Sequence, residues 1–69
     1  MLWNRIAVCR AEKGWTQQEL AKRVGVSRQT IASIEKNKYN PSLILAFKIA
    51  LSFEKSLTEI FGYQEENEL

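Results

Sequence analysis

A chain of 69 residues, 45% hydrophobic and 26% charged, makes one small domain, near the size at which a single core just holds a fold together. One cysteine, Cys9, excludes an internal disulfide, and with no histidine the chain lacks zinc-finger ligation and Ser-His or Cys-His nucleophilic pairs. The net charge of +2 is unevenly spread: residues 1–53 carry nine Lys and Arg against three Glu, and residues 54–69 carry one Lys against five Glu. A basic body suits a polyanion, and the acidic end should point away from it.

The first helix is expected over Leu2–Lys13, with Leu2 or Trp3, Ile6 and Cys9 turned inward and Gly14 as its C-terminal stop. Cys9 then reads as a small core residue. Thr16 starts the second helix, expected over residues 17–24. Glu19 stands three residues on for a capping box, and Trp15 and Leu20 are placed as a hydrophobic staple. Ser27 caps a third helix over residues 28–35, with Val26 and Ile31 in the staple positions. Gly25 between them reaches positive φ without a Cβ clash, so the chain can turn within about three residues, as in a helix-turn-helix. Leu20, Ala21, Val24, Val26, Ile31 and Ile34 form the apolar seam, with small Ala21 where the two helices would cross. Arg28, Gln29, Ala32 and Ser33 are left facing outward, with no acid among them.

The connector Lys36–Asn40 is polar and basic, and Asn37 tolerates a left-handed turn better than most residues. Asn40 or Ser42 caps the fourth helix, with Pro41 at or near its first turn, where a missing N–H costs nothing. Leu43, Leu45, Ala46, Ile49, Ala50 and Phe53 supply its stripe. Ile44, Phe47 and Leu51 add apolar surface beyond one face, which suits a helix partly covered by a second subunit. Ser56, with Glu59 three residues later, caps a last helix over Leu57–Phe61 that ends at Gly62. Domain boundaries follow: residues 1–62 form the folded unit and residues 63–69 an acidic tail. Phe61 and Tyr63 alternate with other residues as the beginning of a strand would.

Gln17, Leu20-Ala21, Gly25-Val26-Ser27, Thr30-Ile31 and Ile34-Glu35, followed by Asn40-Pro41-Ser42-Leu43, resemble the Cro and lambda-repressor class of helix-turn-helix regulators, the XRE family. The resemblance covers about Asn4 to Phe61. It implies an all-α, compact five-helix lambda-repressor-like domain whose third helix enters the DNA major groove with its first residues at the base edges. The chain departs from the family at three places. Asn37 stands where glycine is frequent, Glu54-Lys55 replaces the usual Gly-Val, and Ser42 follows Pro41 where many relatives carry an arginine aimed at the minor groove.

On that implied geometry, Arg28 can bind guanine O6 and N7 together and Gln29 adenine N6 and N7, each worth roughly 1–3 kcal/mol of discrimination. Ser27 and Ser33 belong to the same face. The resemblance gives Gln17, at the positive end of the second helix, a phosphate contact, with Gln18 reaching the backbone or supporting Gln29. Lys36, Asn37 and Lys38 grip phosphate across the groove. Tyr39 either joins them or covers the edge of the core. The resemblance also implies a partly buried ion pair between Arg10 and Glu35.

The expected function is sequence-specific binding of double-stranded DNA as a transcriptional regulator, a repressor acting as a homodimer on two half-sites. Leu45, Ile49, Phe61 and Tyr63 are expected at the dimer interface, with a short C-terminal strand paired across the two-fold axis. The alternative is an antitoxin or anti-regulator that binds a partner protein and autoregulates through the same domain. The scattered glycines form no phosphate-cradling loop, and Glu65-Glu66 is the only adjacent carboxylate pair, so no catalysis, cofactor or metal is expected. With no apolar run near the length of a membrane span and no basic-then-apolar leader, the chain is expected to be complete and cytoplasmic.

Overall fold

Helix starts in this chain fall where a side chain takes over an unpaired backbone N–H. The computed structural model describes residues 1–65. In order, these form β1 (Leu2–Asn4), α1 (Ile6–Lys13), α2 (Gln17–Val24), α3 (Arg28–Glu35), α4 (Leu43–Ser52), α5 (Leu57–Ile60) and β2 (Phe61–Tyr63). Thr16 accepts from the Glu19 N–H (3.0 Å), Ser27 from the Thr30 N–H (3.2 Å) and Ser42 from the Leu45 N–H (3.1 Å). Ser42 rather than Asn40 is therefore the cap of α4, and Pro41 precedes the cap instead of entering the first turn. The box at Thr16 is half-made, because Glu19 turns to Arg23 at 2.8 Å instead of back to the Thr16 N–H. At α5 the return bond is present: the Ser56 N–H donates to Glu59 Oε1 at 2.7 Å. Those hydrogen bonds from Ser56, its backbone N–H first, hold the Glu59 carboxyl below its ordinary pKa.

Gly14 (φ 71°) and Gly25 (φ 79°) end α1 and α2 in the left-handed conformation expected of them. Two non-glycine residues share it, Asn37 (φ 61°) and Glu54 (φ 58°). Glu54 thus makes a left-handed turn before the last helix at the steric cost of a Cβ.

The first helix is shorter than its apolar spacing suggests. Residues Leu2–Asn4 are extended and pair antiparallel with Phe61–Tyr63, with Leu2 opposite Tyr63, Trp3 opposite Gly62 and Asn4 opposite Phe61. Asn4 Oδ1 accepts from the Ile6 N–H at 3.1 Å, and a side chain that engages the backbone locally offers it an alternative to helix. The Arg5 N–H then goes to the Ile60 carbonyl at 2.8 Å, and the Gln64 N–H to the Met1 carbonyl at 2.9 Å. Consequently α5 stops at Ile60, Phe61 turns extended, and Gly62 is a strand residue rather than a helix stop. A Cβ on Gly62 would collide with the Trp3 indole, which lies over it.

The expected C-terminal strand therefore exists, but one of its edges is taken by the chain's own N-terminal segment. The assignment of Leu45, Ile49 and Phe61 to a dimer interface is corrected, since all three are buried in the chain's own core. Only Tyr63 of that set is exposed. The part of the tail beyond Glu65 lies outside the described residues.

The core gathers Ile6, Leu20, Ile31, Ile34, Ile49 and Ile60, all fully buried, from five helices. Each such side chain contributes about 1.5–3 kcal/mol of burial free energy. Ala21, also fully buried, lets α2 and α3 approach closely. Trp15 packs against this core and stacks on Phe53, ring centroids 5.3 Å apart, with the Arg23 guanidinium 4.1 Å over its other face. Cys9 is buried, and that burial raises its thiol pKa, keeping it protonated and unreactive.

Candidate nucleic-acid interface

The α2–turn–α3 unit presents one polar surface. Ser27 fixes the start of α3, and behind it Ile31 and Ile34 anchor the helix in the core, so the opposite side must face solvent. Arg28 and Gln29, the first two residues of α3, are exposed, and Ser33 one turn on is half-buried. Ser27, Gln29, Thr30, Ser33, Lys38 and Tyr39 line a single open groove. The structure thus brings the start of α3 and the basic connector onto one side. Ser27 is partly committed elsewhere: its hydroxyl serves the cap and lies 3.0 Å from the Thr30 hydroxyl. Gln18, Lys36, Asn37, Lys38 and Tyr39 are exposed, Tyr39 at 49%. Tyr39 therefore lies at the groove and not over the core.

Arg10 and Glu35 meet as a bidentate pair, Nε to Oε2 at 2.7 Å and a terminal nitrogen to Oε1 at 3.1 Å, with side chains only 19% and 11% exposed. Arg10 also donates to the Trp15 carbonyl at 3.0 Å. The hydrogen bonds that Arg10 donates to Glu35 raise its pKa further, outweighing burial, so its charge is permanent. Gln17 joins this pair: its amide nitrogen donates to Glu35 Oε1 at 3.0 Å. One N–H of Gln17 is thereby spent on orientation. The pair thus joins α1, the start of α2 and the end of α3.

Asn4 is a contributor that sequence patterning missed, because apolar spacing drew it into the first helix. Its amide nitrogen donates to the Ile34 carbonyl at 2.9 Å and to Asn37 Oδ1 at 3.3 Å. The available signal was an Asn two residues before the first buried position, a frequent local cap for an entering helix. Among the described residues no cluster of His, Cys, Asp and Glu could hold a metal ion, and no helix is long and apolar enough to cross a membrane.

Two capped helices around a left-handed glycine, with an acid-free polar face on the second, define a helix-turn-helix protein. Comparison with known proteins agrees. Residues 6–60 match the helix-turn-helix family. An HTH-type transcriptional regulator of Archaeoglobus fulgidus is 56% identical over 63 residues, covering 91% of this chain and 89% of the relative. The antitoxin HipB of Escherichia coli O6:H1 is 46% identical over 57 residues, 83% of this chain but 61% of HipB. The crystal structure of the biofilm master regulator SinR in complex with DNA matches with a TM-score of 0.72 and 36% identity, over 78% of this chain and 87% of the SinR chain in that crystal. The chain belongs to the XRE-type helix-turn-helix family. It is a transcriptional regulator with a helix-turn-helix DNA-binding domain.

Proposed function

We propose that the protein is a sequence-specific repressor that binds double-stranded DNA as a homodimer, with α3 in the major groove. The observation that carries the reading is the exposure of Arg28 and Gln29 at the first turn of α3, with Gln29 lining the same groove as Lys38 and Tyr39. In this arrangement Arg28 and Gln29 read base edges, whereas Gln17, Gln18, Lys36, Asn37 and Lys38 position the helix on phosphate. Ser33 reaches the middle of the groove, and Ser27 contributes mainly by holding α3. Occupying a promoter would suffice for repression.

The dimer surface follows from what α4 leaves uncovered. Leu43, Ile44, Phe47 and Leu51 are 66%, 70%, 47% and 72% exposed and form a stripe along one side of the helix. A second copy of the stripe across a two-fold axis would cover it and set two recognition helices about 34 Å apart, one turn of duplex. Similarity to HipB supports a second reading, an antitoxin whose α4 stripe docks a partner protein; co-purification of a second chain would favour it.

The testing experiment compares Arg28→Ala and Lys38→Ala on selected and random DNA. Arg28→Ala should relax preference at one base position per half-site, at a cost of about 1–3 kcal/mol on the selected sequence. Lys38→Ala should weaken all sequences alike and flatten the salt dependence. Equal losses on selected and random DNA for both variants would overturn the assignment.

A further inference from the structure

We propose that Asn4 is a positioning residue for the basic connector, tying the terminal hairpin to the end of α3 and so setting where Lys36 and Lys38 meet the DNA backbone. This rests on the DNA-interface reading of the two lysines. Asn4 is half-buried in β1 and uses both ends of its amide: Nδ2 donates to the Ile34 carbonyl and to Asn37 Oδ1, while Oδ1 accepts from the Ile6 N–H. Only a carboxamide of this length supplies donor and acceptor at those separations.

Both recipients lie at the critical bend. Ile34 carries one of the last α3 carbonyls, which have no partner inside the helix, and it also takes the Asn37 N–H at 3.0 Å. Asn37 sits at φ 61°, a conformation that costs a non-glycine residue free energy, and its side chain is held from outside by Asn4. The next N–H, of Lys38, returns to the Ser33 carbonyl at 2.9 Å. The bend that carries Lys36 and Lys38 is therefore gripped from α3 on one side and from β1 on the other. β1 itself cannot drift, because its register with β2 and the Arg5-to-Ile60 bond fix it. Through Asn4 the β1–β2 pair thereby acts on the candidate interface.

Asn4→Ser is the informative change, since it keeps the net charge and an oxygen near the Ile6 N–H but is too short to reach Ile34. Hydrogen exchange in the free protein should quicken at least about tenfold at the Asn37 and Lys38 amides, with the core amide of Ile49 unchanged. Affinity for DNA should fall about five- to tenfold with a shallower salt slope, and that loss should vanish in a Lys36→Gln, Lys38→Gln background, where no lysine remains to be positioned. Asn4→Gln, which moves the amide by one methylene, should behave alike and serves if the serine variant does not fold. Unaltered Asn37 and Lys38 exchange, or an equal affinity loss in both backgrounds, would overturn the role of Asn4 while leaving DNA binding intact. A wild-type chain without salt-dependent DNA binding would overturn the interface reading and this proposal with it.

Discussion

Glu35 accepts three hydrogen bonds from two residues, Arg10 and Gln17, and so holds α1, α2 and α3 together. Because the two side chains of the ion pair are only 19% and 11% exposed, removing one partner strands the other away from water. Glu35→Gln should therefore destabilise the fold by about 3 kcal/mol, the lower end for buried pairs, which in a domain this small lowers the thermal midpoint by more than about 10 °C. Calorimetry or circular dichroism of the variant reads this directly, and an unchanged midpoint would refute it. Arg10 and Glu35 were legible as a pair through the family resemblance. The recruitment of Gln17 was not, since a flexible amide can reach many partners and only packing selects one.

At the scale of elements, the turns and caps decide what could be read in advance. The starts of α2, α3 and α5 and the ends of α1 and α2 were legible because each rests on one residue's local chemistry: Thr16, Ser27, Ser56, Gly14 and Gly25. The hairpin was not, because pairing Leu2–Asn4 with Phe61–Tyr63 joins segments from opposite ends of the chain, and a three-residue strand carries no periodicity of its own. Glu54 shows that the backbone turn before α5 survives without glycine. Glu54→Gly should relieve that strain and stabilise the protein by about 0.5–1 kcal/mol net of the added freedom in the unfolded chain, seen as a higher denaturant midpoint at constant slope. Glu59 makes a pH prediction. Its pKa is lowered in the folded state, so its contribution is complete above the unfolded carboxyl pKa and fades as pH falls through the folded value. The stability gap between wild type and Glu59→Ala should thus narrow between about pH 5 and pH 3. A constant gap across that range would show that the cap does not act through the carboxylate.

For the whole molecule, the reading divides the surface into a DNA side, formed by α3 and the basic connector, and an apolar side on α4. Sequence periodicity identified α4 as too apolar for one face and marked Ile44, Phe47 and Leu51 as the surplus, but it also assigned Leu45 and Ile49 to the interface, and these are buried in the core. A helix buried in its own core through Leu45 and Ile49 looks the same in sequence as one that offers those residues outward. If Leu43, Ile44, Phe47 and Leu51 form the two-fold contact, Phe47→Glu should yield a folded monomer by sedimentation, with binding to a two-half-site operator weakened far more than to one half-site. A variant that still sediments as a dimer would remove α4 from the interface. The most direct test of the central claim is selection of bound sequences from a random duplex pool with the wild-type chain. The enriched motif should consist of two related half-sites about one helical turn apart, containing positions that lose their preference when Arg28→Ala is put through the same selection. Recovery of no motif, or of the same motif with undiminished preference from both proteins, would contradict that claim.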